Sequence, residues 1–309
     1  MVNNIPHVAI LLAAYNGEKY IVEQLQSLIA QTHNKISIFV SDDSVNEETY
    51  NVIHDFIVTN QIQNIYYLKG PQLNFVQNFL SMVRNENIEA DYYAFCDQDD
   101  IWHKNKISNA LAQLERLDNN FANIYCGRTR LVDEDGSFIG YSPLFKKKPS
   151  FNNALVQNIA GGNTMVFNNT LKSHLASLPN SACISHDWLA YIISTATGGR
   201  VIYSEKADID YRQHSSNIIG SNKGFFARLK RISLLLSGEY RKWNQQHDLI
   251  LSQNKHIITP ANFEVYTRFC RARNGNLCSR LYYFFKSKVY RQSFFGNVAL
   301  LLGVILKKV

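Results

Sequence analysis

Three scarcities narrow the field before any motif is considered. Cysteine is sparse: Cys96, Cys126, Cys183, Cys270 and Cys278 are odd in number, scattered, and form no CxxC pair. That pattern argues against a zinc site and a disulfide framework, and it favours a reducing compartment. Long apolar runs are also missing. The run Val8–Ala14 has seven residues with no Lys or Arg before it, and residues 292–306 are 15 uncharged residues ahead of Lys307-Lys308. Both fall short of the roughly 20 residues a spanning helix needs. The chain is therefore expected in the cytosol, with peripheral docking rather than insertion at its C-terminal end. Acid is the third scarcity, and it is local: residues 221–309 carry 3 Asp+Glu against 16 Lys+Arg, whereas residues 1–220 carry 22 against 16. A nucleic-acid enzyme would share positive charge with its active groove, so no nucleic-acid partner is expected. A basic tail rich in Phe, Tyr, Leu and Ile suits the anionic cytoplasmic face of a membrane better.

What is present is a core-forming chain, 46% hydrophobic and 18% charged, without internal repeats. Its length fits one large domain or a domain with an appendage. Strands and helices alternate. Val8–Ala14 predicts a buried strand, and Tyr15-Asn16-Gly17 a turn. Ile21, Leu25, Leu28 and Ile29 share a helix face. A strand at 36–40 ends in Ser41-Asp42-Asp43-Ser44; a helix at 47–58, a strand at 65–68 and a helix through Phe75, Phe79, Met82 and Val83 follow. Such alternation predicts right-handed crossovers and a mostly parallel sheet flanked by helices. Later segments are less regular: a helix through Ile107, Leu111, Leu114 and Leu117, a strand at 123–132, a turn at Asp135-Gly136, and a solvated loop at Lys146-Lys147-Lys148-Pro149. Further strands are expected at 164–167, 201–203 and 209–214, with a helix opening at His186-Asp187.

The chain is organised around Asp91-Tyr92-Tyr93-Ala94-Phe95-Cys96-Asp97-Gln98-Asp99-Asp100-Ile101-Trp102, a buried strand running straight into three carboxylates. Open α/β sheets bind ligands at the carboxyl ends of their strands. Clustered carboxylates repel one another unless a cation or donors offset them, and Mg²⁺ or Mn²⁺ suits carboxylate and phosphate oxygens. A metal–diphosphate site is one reading; the plainer one is that Asp99 or Asp100 caps the next helix. Tyr15-Asn16-Gly17-Glu18 and Asp42-Asp43 end the other strands and should share the same crevice, which favours the nucleotide reading.

Together, Ala14-Tyr15-Asn16-Gly17, Ser41-Asp42-Asp43, Asp97-Gln98-Asp99-Asp100-Ile101-Trp102, His186-Asp187-Trp188 and Tyr211-Arg212-Gln213-His214 closely resemble the inverting glycosyltransferases of family 2. The resemblance covers about residues 6–220. Its later motifs look most like bacterial rhamnosyl- or galactosyltransferases of surface polysaccharide assembly. It implies a GT-A fold over residues 1–220, with residues 221–309 as a basic amphipathic helical extension. It further implies a nucleotide-diphospho-sugar donor (UDP- or dTDP-linked), a glycan or lipid-linked acceptor, and a divalent metal, Mg²⁺ or Mn²⁺. Ala14, Tyr15 and Glu18 would surround the base and ribose, with Gln98 beside them. Asp43 would accept the pyrimidine N3 proton, and Asp97 would approach the ribose. Asp99 and His214 would face the metal, and Asp187 would be the catalytic base. The sequence departs from the family after Asp43, where Ser44-Val45-Asn46 replaces the usual Gly-Ser-Thr, so the preferred nucleotide stays open.

Inverting transfer needs a base to take the acceptor hydroxyl proton while the diphosphate leaves from the opposite face. Asp187 suits that role, with His186 and Trp188 beside it and the indole as an apolar face for a sugar; the alternative is a helix N-cap. His214 has a buried structural histidine as its alternative. Gly161-Gly162-Asn163 is either a close approach of backbone to donor sugar or acceptor, with Gly162 and Asn163 as contacts, or a plain turn. Two other functions share the acidic sheet edge. A sugar-1-phosphate nucleotidyltransferase would need a Gly-rich, basic loop after the first strand, where this chain has one glycine and an acid. A non-catalytic nucleotide- or carbohydrate-binding module would need neither metal nor base. In the C-terminal part, Phe225, Leu229, Ile232 and Leu236 share one helical face with Lys and Arg opposite.

Overall fold

A computed structural model describes residues 5–179, 183–214 and 237–309. The elements of the first half are β1 (Val8–Ala14), α1 (Ile21–Ile29), β2 (Ile36–Asp42), α2 (Glu48–Thr59), β3 (Ile65–Lys69), α3 (Phe75–Arg84), β4 (Tyr92–Asp97), a two-residue β5 (Ile101–Trp102) and α4 (Lys106–Leu114). There follow β6 (Ile124–Val132), β7 (Phe138–Tyr141), α5 (Phe151–Ala154), β8 (Val166–Asn168), α6 (Asn169–Ser177), α7 (His186–Ala196) and β9 (Val201–Arg212). Among the described residues four further helices complete the chain: Glu239–Gln253, Pro260–Arg273, Leu277–Ser287 and Phe294–Ile305.

One mixed sheet runs β3-β2-β1-β4-β8-β6-β9-β5, with β7 on β6. Its first four strands are parallel, β8 lies antiparallel between β4 and β6, and β6 pairs with β9 in parallel. Alternate residues of β1 and β4 face opposite layers because side chains alternate along a strand. Ala9, Leu11, Tyr93 and Phe95 join a core with α3, α6 and α7. Val8, Ile10, Leu12, Tyr92, Ala94 and Cys96 join another with α1, α2 and α4. The C-terminal helices extend the first of these: Ile250, Leu251, Tyr266, Phe269 and Val304 belong to the same cluster as Trp188 and Leu189 of α7.

Several sequence expectations change in the structure. The strands expected at 201–203 and 209–214 are one strand, β9, whose register on β6 jumps from Gly127↔Ser204 to Arg128↔Ala207. The exposed pair Glu205-Lys206 is absorbed there as a bulge, and its polarity imitates a loop. The strand expected at 164–167 begins later, because Gly162–Thr164 is a 3₁₀ turn. The helix through Ile107 ends at Leu114, leaving Leu117 outside it. The strand β7 and the helix α6 had no counterpart in the sequence reading. The face of Phe225, Leu229, Ile232 and Leu236, and the boundary between residues 220 and 221, lie outside the described residues.

Candidate functional site

Register alone brings three polar strand ends together. Ala14 of β1 lies opposite Asp42, and Ala13 lies opposite Asp97, so β1, β2 and β4 deliver their loops to one edge. Side chains then lace those loops. Gln98 accepts from the Tyr15 backbone N–H at 2.8 Å and donates to the Tyr15 carbonyl at 3.0 Å. A Cβ on Gly17 would sit 2.3 Å from Gln98 Oε1, so glycine is what lets the two loops close. Asn16 takes a left-handed φ of 47° and donates to Ser44 Oγ, while Gly17 N–H and Glu18 both meet Thr49 Oγ1. Beneath them buried Asn78 of α3 donates to the carbonyls of Ser41 and Ala14.

The two aspartates ending β2 divide the work. Asp42 is buried and accepts from Ser44 N–H and the Tyr67 hydroxyl, which fixes the turn. Asp43 Oδ1 accepts from Gln72 N–H at 2.8 Å, and burial raises its carboxyl above the usual range. Gly70 leaves room for it, since a Cβ there would lie 2.2 Å from Asp43 Oδ1.

The acidic cluster after β4 divides similarly. Asp100 is buried and accepts from Asn163 Nδ2 at 2.7 Å and from Arg212 N–H at 3.2 Å. It ties the loop to the Gly161-Gly162-Asn163 turn and to the end of β9. Asp99 Oδ2 lies 2.7 Å from His214 Nε2, and the Asp99 carbonyl accepts from Arg212 Nε at 3.1 Å. The Arg212 guanidinium also bonds Glu23 and stacks 4.8 Å from the Tyr20 ring centroid. Asp97 is half-buried, and its carboxyl is pushed well up by burial and by the charges of Asp99 and Asp187. Helix α4 begins at Lys106 after Asn105, so neither Asp99 nor Asp100 caps it.

Asp187 reaches this edge from α7. Its Oδ2 accepts from Gly162 N–H at 3.1 Å and its Oδ1 from Trp188 N–H at 2.7 Å. The N-cap of α7 is Ser185, so Asp187 is not the cap. Its neighbours correct the sequence reading. His186 is buried, stacked 3.9 Å from Phe79 and edge-on to Phe95 at 4.6 Å. Burial lowers its pKa to about 4. That ring is an apolar-core group, not a sugar contact. Trp188 is also buried; its indole N–H donates to the Ala154 carbonyl at 2.7 Å and its ring meets His247 and Trp243. It offers no open face on which a sugar could stack. The Asn163 amide is committed to Asp100, and Gly162 packs under His186, whose Nε2 would lie 2.6 Å from an added Cβ.

The residues brought to one edge are thus Ala14, Tyr15, Glu18, Asp43, Asp97, Gln98, Asp99, Asp187 and His214. Sequence reasoning missed Gln72, whose φ of 55° and contact with Asp43 leave no local signature, and it quoted Arg212 without a role. Among the described residues no three His, Cys, Asp or Glu side chains are gathered as a metal cluster. Asp99 and His214 nevertheless set an oxygen and a nitrogen donor side by side, a pair a divalent cation accepts when ligand oxygens complete its shell. A separate open cleft of about 760 Å³, lined by His7, Glu86, Glu89, Asp91, Tyr93 and Lys172, lies at the start of β4, away from this edge.

Four parallel strands feeding an acidic edge, followed by an inserted antiparallel strand, define a GT-A fold. Comparison with known proteins agrees. The glycosyl transferase family 2 model matches residues 9–174. The dTDP-rhamnosyl transferase RfbG of Shigella flexneri is 32% identical over 245 residues, 75% of this chain and 81% of that protein. WfaP of Escherichia coli, a UDP-Glc:alpha-D-GlcNAc-diphosphoundecaprenol beta-1,3-glucosyltransferase, is 31% identical over 125 residues, 38% of this chain and 46% of that one. Among solved structures, the mannosyltransferase PcManGT of Pyrobaculum calidifontis, in complex with GDP-Man and Mn²⁺, superposes with a TM-score of 0.54 at 13% identity, covering 99% of this chain and 86% of that chain. S. aureus TarS 1-349 in complex with UDP-GlcNAc gives 0.52 at 18% identity, over 76% of this chain and 66% of that chain. The chain belongs to glycosyl transferase family 2. It is a glycosyltransferase.

Proposed function

We propose that the protein transfers a sugar, with inversion, from a UDP- or dTDP-linked donor to a hydroxyl of a glycan or lipid-linked saccharide in bacterial surface polysaccharide assembly. The observation that carries this reading is spatial: Asp187, ninety positions after Asp97, accepts from Gly162 N–H in the same turn whose Asn163 bonds Asp100, which brings it to the edge where β4 runs into its acids. A base, a diphosphate-facing pair and a nucleotide-facing pair thereby share one edge. The relatives support the substrate class, since their names specify a dTDP-linked donor in one case and a UDP-linked donor with a diphosphoundecaprenol-linked acceptor in the other.

In the reaction the acceptor oxygen attacks the anomeric carbon while the bond from that carbon to the diphosphate breaks, and the acceptor proton passes to Asp187. Hydrogen bonds from Gly162 and Trp188 N–H groups orient the Asp187 carboxylate before the acceptor arrives. General-base catalysis of this kind contributes about 10²–10⁴ in rate. Asp43, fixed by Gln72 N–H and partly desolvated, accepts the N3–H of the pyrimidine, which UDP and dTDP present alike. Ala14, Tyr15 and Glu18 line the base and ribose, and Gln98 supports them by holding the Tyr15 backbone. Asp99 and His214 would hold a Mg²⁺ or Mn²⁺ ion that neutralises charge growing on the departing diphosphate. No described helix is long and apolar enough to cross a membrane. The basic C-terminal region is proposed to meet the anionic inner face of the plasma membrane, where a lipid-linked acceptor is presented.

A thermal-shift screen of nucleotide-sugars with and without Mn²⁺ tests the donor assignment, because a ligand bound only by the native state raises its melting temperature. UDP- or dTDP-sugars should stabilise the chain, more so with Mn²⁺. Stabilisation by purine-linked sugars alone would overturn it.

A further inference from the structure

We propose that the outer face of the last helix, Phe294–Ile305, together with Leu306, is a docking surface for an anionic lipid bilayer, and that it fixes the orientation of the Asp187 helix relative to that bilayer. The inference rests on the membrane-linked part of the function proposed above and names the surface responsible.

At 3.6 residues per turn, Phe294, Phe295, Val298, Leu302 and Leu306 fall within an arc of about 120°. All five are exposed, the two phenylalanines to about three quarters (76% and 75%). The opposite arc, with Leu300, Gly303 and Val304, packs inward, and Arg280 Nη1 donates to the Val304 carbonyl at 3.0 Å. Asn297, the one polar side chain of the helix, is spent on Arg291 and Ser293 at its N-terminus. The exposed face is therefore wholly apolar, whereas a helix face turned to water is ordinarily polar.

Charge identifies the occupant. Residues 265–309 contain nine Lys or Arg and no Asp or Glu. Lys286, Lys288 and Lys307 are exposed, as are Tyr282 and Phe285 on the preceding helix. An apolar aromatic stripe within a stretch whose charged side chains are all cationic matches the headgroup boundary of an anionic bilayer. The stripe is also firmly joined to the catalytic half. Arg291 Nη1 donates to the Val156 carbonyl at 2.6 Å, Gln292 exchanges two 2.9 Å bonds with Lys147, and Asn153 Nδ2 donates to the Tyr290 carbonyl at 2.9 Å. The same segment holds α7 through the bonds of Tyr191 to Asn153 and of Trp188 to Ala154.

The test is flotation of the full chain with phosphatidylcholine vesicles that contain or lack phosphatidylglycerol, for wild type and Phe294→Ser/Phe295→Ser. Wild type should float with the phosphatidylglycerol vesicles, and the double variant should bind at least tenfold more weakly. Both should keep the same thermal shift with UDP or dTDP and Mn²⁺, which separates loss of docking from loss of the donor site. Equal flotation of the two proteins would overturn the proposal. So would wild-type protein that ignores the vesicles, whether it stays monomeric or self-associates through the phenylalanines by light scattering.

Discussion

At the carboxyl edge of the sheet the chain concentrates acid and ties most of it down with hydrogen bonds; in the helices after residue 237 it concentrates base and leaves apolar side chains in the open. Asp42, Asp43 and Asp100 are all buried; Asp42 accepts from Ser44 in its own turn, and Asp43 and Asp100 accept from loops far away in sequence. Lys286, Lys288 and Lys307 instead face water beside exposed phenylalanines. The first arrangement costs desolvation and gives position, as expected where charge must be held in place. The second holds little in place and suits a surface that must meet something soft. By this contrast the acidic edge is preorganised, and the basic helices carry the face proposed to dock.

The contrast can be sharpened within the acidic edge itself. Asp99→Ala should lower turnover at least a hundredfold with little loss of stability, because among the described residues the Asp99 side chain bonds His214 alone; steady-state kinetics and a melting curve together check this. Asp100→Ala should do the reverse at the level of folding. Removing its carboxylate strands the buried Asn163 amide and Arg212 N–H, costing about 1–3 kcal/mol, and a denaturant titration should show it. If the two variants were equally stable, the division of labour between neighbours would fail.

Acid should weaken the contact of His247 with Trp188, where the two regions meet. His186 and His247 are buried neutral, with pKa values lowered by burial from 6.5 to about 4 and about 3. Unfolding lets each bind a proton below about 6.5, so their share of stability is complete above that pH and declines as pH falls towards their folded values. Each contributes a slope of up to about 1.4 kcal/mol per pH unit across that window. Asp43, Asp97 and Asp100, whose carboxyls burial raises, act in the opposite sense. Substitution isolates the histidine share: between pH 7 and pH 5 the stability of His247→Phe relative to wild type should rise by up to about 1.4 kcal/mol per pH unit as pH falls. The smallest effect is expected for Gly17→Ala, whose Cβ displaces the flexible end of Gln98. Losing that clasp on Tyr15 should cost about 1 kcal/mol and weaken donor binding several-fold by calorimetry.

Much of the edge was legible because strand ends announce themselves: an apolar run stopping at Asp97, or at Asp42, places the acid at the rim once the strands are known to be parallel. The helix at His186-Asp187 and the late motif ending in His214 were placed by resemblance, and the structure brings Asp187 and His214 to the same edge. What remained hidden depends on contacts between layers. Nothing local distinguishes a tryptophan offered to a sugar from one buried against His247, so Trp188 was misjudged, and His186 likewise. Asn163 looked like a ligand contact because its bond to Asp100 spans 63 positions. Polar Glu205-Lys206 concealed the continuity of β9 for a similar reason, since a bulge and a loop look the same along one chain.

In the proposed mechanism Asp187 serves the same sugar carbon that the nucleotide-facing acids position. Single-turnover transfer by Asp187→Asn, with a nucleotide–Mn²⁺ thermal shift recorded on the same sample, tests it most directly. The shift should be undiminished and the rate lowered by about 10²–10⁴. Turnover within a few-fold of wild type would contradict it.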